Sequence, residues 1–185
     1  MLDREEAWKK VNELIDNPNL IKHCLAVEAA MSAYADYFKV SGEEKEKWQV
    51  AGLLHDADYD KYPDQHPQVI LEWLEKQRAD RDLVNAVASH GCDFAIQPKT
   101  LMAKVLRAVD ELTGLIVAVA LVRESKKLAD VKVESVQKKW KNKGFAAGVN
   151  REDIEQGAKE IGVDLQEHIS IVLQAMQGIA DQLGL

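Results

Sequence analysis

An all-α fold, a bundle of helices around one core, is the class this sequence predicts, and three observations predict it. Apolar residues recur three and four positions apart along almost the whole chain. Residues that start and stop helices punctuate that pattern. No stretch alternates apolar and polar residues with the period of two that a half-buried strand requires.

The elements follow in order. Asp3 and Glu6 have capping-box spacing for a first helix that stops near Asn17-Pro18. A second runs over about residues 19–40, with Leu20, Val27, Met31 and Tyr34 at helical spacing. Ser41 and Glu44 cap a third, which carries Trp48, Ala51 and Leu54 and ends at His55-Asp56. Pro67 is read as the first residue of a fourth, where its missing N–H costs nothing, and Val69, Ile70, Trp73 and Leu74 face inward. Asp80 starts a fifth, with Leu83, Val84 and Val87 buried, and Gly91 ends it just after His90. Residues 100–124 form a long sixth helix, apolar on most sides and therefore central. Residues 131–136 are either a short strand or the start of a helix. The basic helix after them carries Lys138, Lys139, Lys141 and Lys143 around Trp140 and stops at Gly144. Asn150 and Asp164 read as N-caps of two more helices, the second in a capping box with Glu167. Helices two, three, five and six are expected at the centre, with a site-bearing core at about 19–124 and the basic and C-terminal helices at about 131–185.

With 185 residues, 46% of them hydrophobic and 30% charged, the chain suits one domain with a real core. A net charge of −7 gives no general attraction to a phosphate backbone, so no nucleic acid polymer is expected as a partner. A small anionic substrate remains compatible with it, because a bound cation reverses the local field. Cys24 and Cys92 form no Cys-x-x-Cys pair and read as buried thiols in a reducing compartment. The charged start MLDREEAWKK lacks the apolar centre of a secretory signal. The longest apolar run, residues 115–122, is too short for a bilayer. A cytoplasmic protein with no membrane partner is the expectation.

The polar residues carry the functional signal. In AGLLHDADYDKYPDQHP an apolar run ends abruptly in His55-Asp56, with Asp58, Asp60, Asp64 and His66 close behind. His23 lies mid-helix between Ile21 and Val27, His66 opens the fourth helix and His90 closes the fifth. Asp110 sits deep in the apolar sixth helix, where an ionised carboxylate is costly unless paired or bound to a cation. Each has an ordinary account of its own: an ion pair of Asp110 with Arg107, a core histidine at His23, a helix cap at His90, a turn residue at His66, solvated acids in the loop. Together these accounts are so many separate coincidences, and one metal centre replaces them. Imidazole and carboxylate are ligands of Zn, Fe or Mn at about 2.0–2.2 Å. The absence of cysteine from the set argues against a closed structural zinc site and for a centre with open positions.

The ordered set His23, His55-Asp56, Asp110, with the stretches AGLLHD, SHG and AVDELTGLI, resembles the HD-domain superfamily of metal-dependent phosphohydrolases. It is most similar to the compact bacterial HD proteins, many called HDIG-type hydrolases. The resemblance implies a helical fold with a metal in its middle, held by His23, His55, Asp56 and Asp110. Branches with two ions add two histidines between the doublet and the last Asp, with the doublet Asp bridging, and His66 and His90 stand in that order here. The implied cofactor is one or two divalent transition metal ions: Mn, Fe, Zn, Ni or Co. The chain lacks the Gly-Tyr-Pro motif and later His-His pair of the cyclic-di-nucleotide phosphodiesterases, which argues against that substrate.

The reaction so implied is hydrolysis of a phosphate ester on a nucleotide or other small phosphorylated metabolite, with Asp56 at the metal. Asp58, two residues past the doublet, is either a proton-transfer group or a solvated loop acid. Lys139 and Lys143, four apart on the basic helix, are candidate contacts for substrate phosphate; a solvated charged face is the plainer account. The same ligand order is similar to that of HD-fold di-iron oxygenases, and a non-catalytic nucleotide sensor is the third alternative. The C-terminal stripe Ile171, Ala175 and Ile179 is expected to pack on the core or to form a homodimer face, and His168 is expected at the surface.

Overall fold

In the computed structural model the described residues, 2–91 and 95–185, form ten α-helices and two short 3₁₀ turns, with no strand among them. The helices are α1 (Arg4–Leu14), α2 (Pro18–Tyr37), α3 (Gly42–Leu54), α4 (Gln68–Lys76), α5 (Arg81–Ala88), α6 (Leu101–Leu121), α7 (Val133–Trp140), α8 (Arg151–Glu160), α9 (Leu165–Gly178) and α10 (Ala180–Leu183). The Asp3 carboxylate accepts from the Glu6 N–H and the Glu6 side chain accepts from the Asp3 N–H, so the first capping box forms as expected. Asn17, Asp80, Thr100, Asn150 and Asp164 cap their helices through side-chain oxygens.

Several boundaries differ from the sequence expectation. Helix α4 starts at Gln68, with Pro67 as its flanking residue. Ser41 stands at the start of α3 without a side-chain cap bond. Asp164 caps α9 by accepting from the Gln166 N–H, without the reciprocal Glu167 bond of a capping box. The undecided stretch 131–136 enters α7, after a 3₁₀ turn at Leu128–Asp130. That helix ends at Trp140, so Lys141 and Lys143 lie beyond its last turn.

The core is built on α2 and α6. Helix α2 packs along α3 and also meets α6 and α9, while α6 meets α5 and α8. The expected centre of α2, α3, α5 and α6 is therefore correct but incomplete. Helices α8 and α9 belong to the same core through Ile154, Ile169, Val172 and Met176, all buried. Ile171, Ala175 and Ile179 lie half-buried beside that stripe rather than forming its inward edge.

Two close approaches set the packing. A Cβ on Gly52 would stand 2.9 Å from the backbone of Glu28, so only glycine lets α3 lie this near α2. A Cβ on Gly157 would meet Ala108 at 2.8 Å, which brings α8 equally close to α6. Glu28 is itself buried and paired with the Arg4 guanidinium, which ties α1 to α2.

His168 is not at the surface. It is fully buried, accepts at Nδ1 from the Tyr34 hydroxyl and donates from Nε2 to the Ala108 carbonyl at 2.9 Å. Burial holds its pKa down at about 4, so it is a neutral strut between α9, α2 and α6. Cys24 is buried, and burial followed by the nearby Asp56 and Asp110 charges raises its thiol pKa well above the ordinary value. Cys92 lies outside the described residues. No helix among them is long and apolar enough to cross a membrane.

Candidate metal centre

The six residues singled out in the sequence converge. His23 comes from the first half of α2, and Asp110 from the middle of α6, which packs against α2. His55 and Asp56 follow directly on α3, whose close approach at Gly52 carries the doublet toward α2. His66 lies just before α4, and His90 two residues past α5.

They fall into two groups, His23–His55–Asp110 and Asp56–His66–His90, each with its ligand atoms within 4.8 Å of one another. In the first, His23 Nε2 lies 3.1 Å from His55 Nε2 and 3.0 Å from Asp110 Oδ1, and His55 Nε2 lies 3.5 Å from that oxygen. In the second, the Nε2 atoms of His66 and His90 are 3.2 Å apart, and each is 3.4 Å from Asp56 Oδ1. The other Asp56 oxygen, Oδ2, is 3.6 Å from His23 Nε2 and 3.5 Å from His55 Nε2. One carboxylate thus turns one oxygen to each group.

These spacings match the donor set of a cation. Two ligands about 2.1 Å from one ion, at an angle of about 90–110°, stand about 3.0–3.4 Å apart. The tautomers agree. His55 donates from Nδ1 to the Gly52 carbonyl at 2.8 Å, and His90 to the Val87 carbonyl at 2.6 Å. His66 donates from Nδ1 to Asp58 Oδ1 at 2.6 Å. Thr113 Oγ1 donates to the Asp110 carbonyl at 2.8 Å, which leaves a lone pair facing His23 Nδ1 at 3.4 Å. All four rings hold their N–H outward and aim the other nitrogen inward, the arrangement typical of metal-binding histidine. Two such nitrogens 3.1 Å apart present bare lone pairs to each other, and a proton or a cation between them removes the repulsion.

The charges point the same way. Burial alone would raise the carboxyl pKa values of Asp56 and Asp110. Opposing it, the His55 charge and bonds from His90 to Asp56, and from His23 and His55 to Asp110, hold both below the ordinary range. For His55, burial opposes the charge, but Asp56 and Asp110 outweigh it and bring the imidazole up to about 9. Buried carboxylates held ionised beside imidazoles make the site a pocket that favours positive charge.

Asp58 is not a solvated loop acid. It is fully buried, with Oδ1 on His66 and Oδ2 accepting from the Ile70 N–H at 2.9 Å. With both oxygens engaged it stands behind His66 and fixes that ring. Asp60 accepts from the N–H groups of Asp16 and Asn17 and holds the α1–α2 turn. Arg107 does not pair with Asp110; it donates to the Gly91 carbonyl. Lys139 and Lys143 do not share a face. Lys139 Nζ lies 4.9 Å from the Phe145 ring centroid, and Lys143 lines a different cavity beyond the end of α7. Neither cavity includes a residue of the two groups. Thr113 escaped the sequence reading, although a buried hydroxyl one turn past Asp110 was the signal that pointed to it.

No curated protein and no solved structure matches the chain. The family model of the HD domain matches residues 20–115, just over half of its 185 residues. That segment runs from before His23 to beyond Asp110 and encloses both groups, and the chain accordingly belongs to the HD domain family, whose members are mostly metal-dependent phosphohydrolases.

Proposed function

We propose that the protein hydrolyses a phosphate ester of a small metabolite, with His23, His55, Asp56 and Asp110 holding one divalent transition metal ion and Asp56, His66 and His90 a second. The observation that carries this reading is the Asp56 carboxylate, which faces both donor groups with separate oxygens. Bound ions would supply an activated water and charge stabilisation for the phosphoryl oxygens. The chain's own part is to prepare the site. Four Nδ1 bonds fix the rings before substrate arrives, so little reorganisation remains for the reaction itself. Asp58 acts as a positioning residue for His66 rather than as a proton carrier.

Elemental analysis of the purified protein, followed by assay of a panel of phosphorylated metabolites with the metal it carries, tests the proposal. Asp56→Ala is expected to lose metal and to abolish turnover, and His66→Ala to have a smaller effect. Full metal content with full activity in Asp56→Ala would refute the assignment. The donor order is also that of HD-fold di-iron oxygenases. Two irons with a mixed-valent signal and no phosphatase activity would transfer the site to that chemistry.

A further inference from the structure

A cleft of about 420 Å³ opens beside His23 between α2, α6 and α10. Its walls follow from helical spacing. On α6 the face that carries Asp110 continues through Gly114, Val117 and Leu121, which all fall within a narrow arc. On α2, Lys22 stands next to His23 on the same wall. Leu183, Gly184 and Leu185 form the third wall, and the Lys22 ammonium reaches toward it, 3.0 Å from where a Cβ on Gly184 would stand. The cleft thus carries one metal-site histidine and one cation on the α2 wall, with Asn19 beside them, and an apolar strip at Val117 and Leu121 along α6.

Three details mark it as a space for a ligand. Lys22 is half-buried yet has no ion pair or hydrogen bond among the described residues. Three acids stand near His23: Asp56 and Asp110 at the centre and Glu111 behind it. Gly114 lies one turn past Asp110 and a Cβ there would meet nothing within 4 Å, so its missing side chain leaves the cleft open. Leu121 keeps 49% of its surface exposed at the end of this face, although it follows a helix of buried apolar residues.

We infer that this cleft is the substrate subsite: Lys22 meets the phosphate, and Val117 and Leu121 of α6 receive a compact apolar organic group esterified to it. This assignment rests on the phosphohydrolase reading for the phosphate end. It favours alkyl or aryl phosphate monoesters over sugar phosphates, whose hydroxyls would find few partners along an apolar wall.

The test is calorimetric binding of benzylphosphonate and methylphosphonate to the metal-loaded full chain. Benzylphosphonate is expected to bind at least about tenfold more tightly. Gly114→Phe, which fills the cleft, and Leu121→Glu, at an exposed position, are each expected to erase that preference with metal content unchanged. Lys22→Gln should weaken both ligands by about five- to tenfold, and Lys22→Arg should restore them. Equal affinities in the unaltered protein, absence of binding, or a preference untouched by both cleft variants would overturn the inference. Hydrolysis of benzyl phosphate is followed in parallel. Preferential binding without turnover supports the subsite and removes the hydrolase reading; turnover of many esters without preference removes the subsite alone.

Discussion

At the scale of single residues, the donors were legible because their positions are costly. A histidine inside an apolar helix and an aspartate among Ala108, Val109 and Leu112 need a reason, and a shared ion supplies one. Asp58 and His168 were misread for the converse reason. Each is a polar letter in a segment that looks exposed, and only the packing of α4 over one and of α2 and α6 over the other buries them. For Asp58 the consequence is measurable. Asp58→Asn is expected to weaken ion binding at His66–His90–Asp56 by about 10–100-fold, with little change at the other group, in a metal titration of the apoprotein. His55 gives a pH prediction. Below about pH 9 its inward nitrogen keeps a proton, because burial is outweighed by Asp56 and Asp110, and a cation must displace that proton. Metal affinity should therefore rise with pH by about tenfold per unit up to that point, with proton release seen by calorimetry in buffers of different ionisation enthalpy.

At the scale of elements, caps and apolar spacing located most helices, whereas their ends moved by a few residues. Helix α7 is the instructive failure. Its lysine run suggested a helix long enough to set Lys139 and Lys143 on one face, but the helix stops at Trp140. The Arg151 guanidinium then donates to the carbonyls of Ala146 and Val149, as well as Phe145, and folds the following segment back. Two glycines within helices make opposite predictions. Gly52→Ala drives a Cβ into the α2 backbone and should destabilise the protein by about 1–3 kcal/mol in denaturant titrations. Gly114→Ala meets open space and should stabilise α6 by up to about 1 kcal/mol, since glycine is a poor helix former. A stabilised Gly52→Ala would contradict the close crossing.

At the scale of the whole molecule, helix α8 was recognisable as a helix but not as part of the core, and for α9 packing on the core was one of two readings. Their partners lie far away in sequence, and nothing in the letters near 157 or 168 names Ala108. His168 predicts how the assembly answers acid. Its folded pKa of about 4 lies below the ordinary histidine value of about 6.5, so the unfolded chain binds the extra proton between them. Stability from this group is complete above about pH 6.5 and falls as pH drops toward 4, by a total on the order of 3 kcal/mol. Thermal melts across that range should show the loss in the unaltered protein and a flatter profile in His168→Gln. Ala108, two residues before Asp110, is gripped from both sides, by Gly157 against its side chain and by His168 on its carbonyl. A lesion anywhere along 150–178 should therefore first betray itself as slow leakage of the ion, while the helical content still looks intact.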